Sequence, residues 1–89
     1  MTVRDNTQAQ RFELDEDGQT AFANYRRNGP QVVIPHVEAP PALRGKGTAG
    51  RLMEGIVARA RAEGFKVTPT CSYALTWFRR HKDAADVLG

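Results

Sequence analysis

Arg44-Gly45-Lys46-Gly47-Thr48-Ala49 place two glycines and two cations where a strand-like stretch gives way to an amphipathic helix. Residue types in that order suit the holding of a phosphate. The first amides of a helix have no partner within it. The aligned peptide dipoles gather partial positive charge at the same end, and the two effects together favour an anion there. Gly45 and Gly47 carry no Cβ, so a bulky phosphate can come close to the main chain, and Arg44 and Lys46 add charge at the rim. Two common phosphate motifs are absent. The lysine precedes Gly47 and Thr48 follows it, so the chain lacks the Gly-Lys-Ser/Thr ending of a P-loop. The third glycine of the dinucleotide fingerprint and its acidic residue are missing as well. Taken alone, the hexapeptide also reads as a glycine-rich turn before a surface helix.

Four further side chains have types and positions that could do chemistry. Cys71 lies between a strand and a helix, where helix-start amides stabilise a thiolate nucleophile; the alternative is a buried structural thiol. His36 changes charge near neutral pH and can serve as a base; the alternative is a structural histidine bonded to backbone. Glu38 lies two residues on, and on a strand it shares a face with His36, where it orients the imidazole or stands as a surface carboxylate. Tyr73 can donate a proton or sit half-buried with its hydroxyl bonded. Cys71 is the only cysteine, which excludes an intramolecular disulfide and a cysteine-rich metal site. No metal is expected.

The elements that position these residues follow from periodicity. Residues 1–9 are polar and read as a loose terminus. Residues 11–14 alternate polar and apolar as a strand. Residues 15–18, ending in Asp-Gly, read as an acidic hairpin turn, and 20–26 as the returning strand, with Phe12 and Leu14 on the face of Phe22 and Thr20. Asn28-Gly29-Pro30 is the next turn. Residues 31–38 form a third strand in which Pro35 requires a bulge, an edge or a kink, and Pro40-Pro41 end it. From Thr48 the period becomes helical. Ala49, Leu52, Met53, Ile56, Val57 and Ala60 make one apolar face, and Gly64 stops the helix. Gly50 and Gly55 weaken this helix and let it approach the sheet or a ligand closely, or are simply tolerated. Residues 65–70 are a strand, and 72–81 a helix with Ala74, Trp77, Phe78 and His81 on one face. Residues 83–88 form a last helical turn. The order β-β-β-α-β-α predicts an α+β fold with a mainly antiparallel sheet, one long helix and a short C-terminal helix.

The chain has 89 residues, 40% hydrophobic and 26% charged, which fits a single domain over 1–89 with a modest core. A net charge of +3 suits an anionic ligand. The basic residues are scattered rather than gathered on one stripe with stacking aromatics, so nucleic acid is not the expected partner. No signal peptide and no membrane-length apolar run are visible, so a soluble cytoplasmic protein is expected. An exposed sheet edge allows a weak dimer beside the monomer.

Arg44-x-x-Gly47-x-Ala49 resembles the pyrophosphate-binding signature of the GNAT superfamily of N-acetyltransferases. The longer stretch from His36-Val37-Glu38-Ala39-Pro40-Pro41 to Arg44-Gly45-Lys46-Gly47 is similar to that of the small single-domain GNAT-like acetyltransferases. Val67-Thr68-Pro69-Thr70-Cys71-Ser72-Tyr73 resembles that family's strand ending in Pro-x-Cys-x-Tyr. The likeness runs over about residues 11–88. Val37 stands where the family usually has Thr, Ala39 where it often has Val, and Lys82 where Pro is common. The resemblance implies a minimal GNAT fold with acetyl-CoA between splayed third and fourth strands. Pantetheine would bond backbone near Val37, Glu38 and Ala39, and the pyrophosphate would meet Arg44, Gly45, Lys46, Gly47, Thr48 and Ala49. It implies acetyl transfer to an amine, with Glu38 or His36 accepting a proton and Tyr73 protonating the departing thiolate. A Cys71 acyl-enzyme is a variant route. Arg79, Arg80 and Lys82 read as solvated, or as reaching the 3′-phosphate of CoA. The acceptor-binding helices of larger relatives have no counterpart here, so the amine is unidentified, and a CoA or acyl-CoA-binding module without efficient catalysis is the alternative. A third reading is a basic RNA- or protein-interaction domain, which strong salt dependence would reveal.

Overall fold

The computed structural model describes residues 2–89. Strands β1 (Arg4–Asn6), β2 (Arg11–Glu16), β3 (Gln19–Asn28) and β4 (Gln31–Glu38) form an antiparallel meander. Helix α1 (Thr48–Glu63) then crosses to β5 (Lys66–Pro69), which lies parallel to β4, and α2 (Ser72–Arg80) and a 3-10 turn at Lys82–Val87 complete the chain. Sheet order equals chain order, β1-β2-β3-β4-β5. The α+β architecture expected from the sequence is present, with an additional strand at its start.

That strand corrects the reading of residues 1–9 as a loose end. Val3 is buried, and Arg4, Asp5 and Asn6 pair with Glu13, Phe12 and Arg11. What holds so polar a strand is Glu13, a carboxylate only 3% exposed. It accepts from Arg4 Nε at 2.8 Å and Asn6 Nδ2 at 3.1 Å, and pairs with Arg11. Arg11, beside it, leads the interactions that hold its pKa below the ordinary carboxylate value, against the opposing effect of burial.

The first hairpin turns tightly at Asp17-Gly18, both with positive φ of 51° and 72°, the conformation that two-residue hairpin loops need. Asp15 and Glu16 therefore belong to β2 rather than to the turn. The resulting register sets Leu14 opposite Ala21, Phe12 opposite Ala23 and Glu13 opposite Phe22. Cross-strand partners share a face, so Phe12 and Leu14 share theirs with Ala21 and Ala23. The expected pairing of that face with Phe22 and Thr20 is overturned: both point the other way, and Arg11 lies 4.5 Å over the Phe22 ring.

Pro35 sits where the β3–β4 register slips. Arg26 pairs with Val33 and Asn24 with His36, which leaves Ile34 and Pro35 opposite Tyr25 in a bulge, a position that tolerates a residue with no N–H. The core face of the sheet (Phe12, Leu14, Val32, Ile34) meets Leu52, Met53, Ile56, Val57 and Ala60 of α1, with Ala74, Trp77 and Phe78 of α2 in the same cluster. This is the apolar face read from the sequence, except that Thr48 is buried and Ala49 only partly so. Gly64, at φ 80°, ends α1 by donating to Ala60 O at 2.8 Å.

One feature of the sheet matters most for function. The β4–β5 pairs run from Gln31–Lys66 to Ile34–Pro69, and the last bond is Thr70 N–H to Ile34 O at 3.1 Å. Beyond it β4 continues to Glu38 beside β3, while the other chain turns away into α2. The two strands part, and the edge of residues 36–38 has no partner strand there among the described residues.

Candidate functional site

The glycine turn is built from its flanks inward. Pro40 and Pro41 stop β4 and start a 3-10 turn at Pro41–Leu43, whose Leu43 is 1% exposed and anchors the loop in the core. Arg44 is extended and donates from Nε to Ala39 O at 3.2 Å. Gly45 and Gly47 both adopt left-handed backbone, φ 79° and 77°, which a side chain would strain. Gly47 caps α1 without any side-chain hydrogen bond, and the first helical bond is Arg51 N–H to Gly47 O at 3.1 Å. The amides of Thr48, Ala49 and Gly50 thus have no acceptor inside the helix. Nothing lies within 4 Å of where a Cβ on Gly45 would stand, so the main chain is open to a ligand there.

The turn is tied to the first hairpin by residues whose part in it was not visible in the sequence. Glu16 accepts from Thr48 Oγ1 at 2.5 Å and from Arg51 Nε and Nη2 at 2.7 and 2.8 Å. Arg51 Nη2 also donates to Lys46 O at 2.8 Å. Arg51 first, then Thr48, holds the Glu16 carboxyl at about 2. Lys46 Nζ lies 3.2 Å from Asp17 Oδ2, both exposed. The helix start is therefore clamped by an ion pair that bridges 35 residues of sequence. No local signal marks Glu16, because only the hairpin register brings it to α1.

The predicted residues fall into three groups. Arg44, Gly45, Gly47, Thr48 and Ala49 line one cleft of about 250 Å³ with Ala39 and Tyr73, and exposed Lys46 stands in the same turn. The Thr48 hydroxyl is turned to Glu16, leaving its amide for a ligand. Tyr73 is 40% exposed. Burial, then neighbouring Cys71, raises its pKa, so it stays a proton donor. His36 and Glu38 form a second group, with Nε2 and Oε1 2.9 Å apart and both side chains half exposed. They lie on the sheet face of Phe22 and Asn24, their cross-strand partners. Val37 faces the other way and, with Ala39, packs against the core. Cys71 stands by itself as the N-cap of α2, partly buried, its Sγ accepting from Ala74 N–H at 3.4 Å. Neither it nor the His36–Glu38 pair lines the cleft at the turn. Among the described residues no group of three or more His, Cys, Asp or Glu is placed to hold a metal, and no helix is long and apolar enough to cross a membrane.

A sequence model of the GCN5-related N-acetyl-transferases matches residues 11–87. No curated protein matches the chain. Among solved structures, the NMR solution structure of a GCN5-like protein from Staphylococcus aureus superposes with a TM-score of 0.74 at 23% identity, over 98% of this chain and 86% of that one. At this identity the likeness speaks for the fold, and it agrees with the minimal architecture described above.

Proposed function

The chain belongs to the GCN5-related N-acetyltransferase family, and from that premise we propose that it binds acetyl-CoA and transfers the acetyl group to an amine. The observation that carries this reading is the alignment of two openings. The strands part after Ile34 and Pro69, and β4 leads, through the short 3-10 turn at Pro41–Leu43, to the left-handed Gly45–Gly47 turn with its three free helix amides. The residues fit the group: the amides of Thr48 to Gly50, with Arg44 at the rim, would hold a diphosphate, and the open edge of residues 36–38 would receive an amide-bearing arm.

Bound acetyl-CoA would supply an activated thioester carbonyl. The chain's own part is to orient that carbonyl and to move protons. Glu38, or His36 bonded to it, takes the proton from the attacking amine, which must be neutral to form the new C–N bond. The Tyr73 hydroxyl, kept protonated, gives a proton to the sulfur as its bond to the acetyl carbon breaks. Cys71 provides a second route, favoured by the Ala74 amide aimed at its sulfur: the thiolate takes the acetyl group and then passes it to the amine. The acceptor is an amine of unassigned class.

The test is acetyl transfer from radiolabelled acetyl-CoA to a panel of peptides and polyamines by wild type, Glu38→Gln and Cys71→Ala. Loss in Glu38→Gln with activity kept in Cys71→Ala supports direct transfer, and the reverse, with label retained on the wild-type protein, supports the acyl-enzyme. Saturable acetyl-CoA binding with no transfer to any acceptor would leave a CoA-binding module.

A further inference from the structure

An amine that gives its proton to Glu38 or His36 must come from one side of the sheet. Helices α1 and α2 both pack in the cluster on the face of Phe12, Leu14, Val32 and Ile34. The opposite face carries His36 and Glu38 and has no helix over it among the described residues. Two ladders of side chains cross that face, Arg4–Glu13–Phe22–Glu38 and Asn6–Arg11–Asn24–His36. Most of its charges are paired within it. Glu13 meets Arg4 and Arg11, Arg4 also meets Asp15, and Arg11 lies over Phe22. Arg26, the next residue on this face after Asn24, is exposed and pairs with no carboxylate among the described residues. The Asn24 side chain is likewise without a protein partner there. Where the bulge at Pro35 interrupts the β3–β4 ladder, Asn24, Arg26 and Pro35 line a cavity of about 340 Å³ with Ala9 and Gln10 of the β1–β2 turn.

A free guanidinium beside an amide that both donates and accepts suits an amino-acid headgroup. Arg26 and Asn24 Nδ2 would donate to the carboxylate, and Asn24 Oδ1 would accept from the α-ammonium. His36 is the cross-strand partner of Asn24, and Arg26 stands two residues on, a diagonal of roughly 7–8 Å. An aminoalkyl side chain spans that distance, whereas the α-amine does not. A polyamine meets only like charge at Arg26. We propose that the acceptor is a free amino acid with a side-chain amine, of the lysine or ornithine class, held by its headgroup at Asn24 and Arg26 so that the side-chain amine lies at the His36–Glu38 pair. The proposal rests on the acetyl-transfer reading above and names its acceptor. The amine nitrogen bonds the acetyl carbon as the C–S bond of acetyl-CoA breaks. Glu38 or His36 takes the proton from the nitrogen, and Tyr73 protonates the leaving sulfur.

Steady-state acetyl transfer by the full chain tests it, with free lysine and ornithine as acceptors beside cadaverine and putrescine, which lack only the carboxylate, and lysine blocked at both α-groups. Charge-assisted hydrogen bonds to the headgroup predict a kcat/KM about tenfold higher for the free amino acids. Arg26→Gln, at an exposed position, should remove that preference by raising their KM, and leave the diamines and acetyl-CoA binding unchanged. In NMR spectra of the isotope-labelled chain without acetyl-CoA, free lysine or ornithine should shift the amides of Asn24 and Arg26, and the diamines should not. Diamines or blocked lysine acetylated as well as the free amino acids overturn the proposal, as do equal losses for amino acids and diamines in Arg26→Gln. Acetyl-CoA bound by wild type with no transfer to lysine or ornithine also overturns it and leaves the cofactor reading standing. Failure to bind acetyl-CoA overturns the cofactor reading; amino-acid shifts at Asn24 and Arg26 would then still support the headgroup site, and their absence would overturn both.

Discussion

Replacing Gly45 and Gly47 by alanine separates backbone strain from the clamp on the helix start. Both residues have φ near 80°, where a non-glycine residue costs roughly 1–2 kcal/mol. The lower entropy of the unfolded alanine chain offsets about 0.4–1 kcal/mol of this. Around Gly45 there is empty space, so strain is the whole effect, and a net loss of about 0.5–1 kcal/mol is expected. At Gly47 the new Cβ would stand 3.1 Å from Arg51 Nη1, closer than most real contacts. Arg51 must shift, and its 2.7 and 2.8 Å bonds to Glu16 lengthen. Gly47→Ala should therefore lose about 1–2 kcal/mol. For a domain this size, 1 kcal/mol moves the melting temperature by about 4–8 °C. Thermal unfolding by circular dichroism reads both variants, with Gly47→Ala melting several degrees below Gly45→Ala. Equal melting temperatures, or a more stable Gly47→Ala, would refute the claim that this glycine makes room for the Arg51 clamp.

Glu16, held at about 2 against an ordinary 4.5, contributes stability that is complete above the ordinary value and lost as pH falls between the two; the melting temperature of wild type should fall through that window, and the fall should be shallower in Glu16→Gln. Gly55→Ala would drive its Cβ into Val3 Cγ2 and to 2.7 Å from Val3 Cβ, so Val3 must leave its site at a cost of about 1.5 kcal/mol or more; hydrogen exchange should show lost protection at Arg4–Asn6, and adding Val3→Gly, which removes both clashing atoms, should restore part of it. Cys71→Ser should retain stability, because serine caps helices well, whereas Cys71→Ala should lose about 0.5–1 kcal/mol in urea unfolding.

Much of this fold is legible in the sequence because its signals are local. The 3.6-residue period of Leu52 to Ala60, the glycine stop at 64, the Asp-Gly hairpin and the bulge at Pro35 each depend on a few neighbouring residues. The turn at 44–49 is legible for the same reason. What escaped depends on distant partners. Strand β1 is short and polar, and it forms because Glu13 needs Arg4 and Asn6. Phe22 sits on the unexpected face because a two-residue loop fixes the parity of every later pair. Glu16 reads as part of an acidic turn, and only the fold sets it against Thr48 and Arg51.

The central claim is that the glycine turn and the parted strands form a coenzyme A site. The most direct measurement is titration of the chain with acetyl-CoA, CoA and ATP at fixed salt, with Gly47→Glu as control. The account predicts saturable binding of acetyl-CoA and CoA that Gly47→Glu abolishes while the fold persists, and weaker binding of ATP. No binding of acetyl-CoA or CoA by the folded wild-type chain, or binding undiminished by Gly47→Glu, would contradict it.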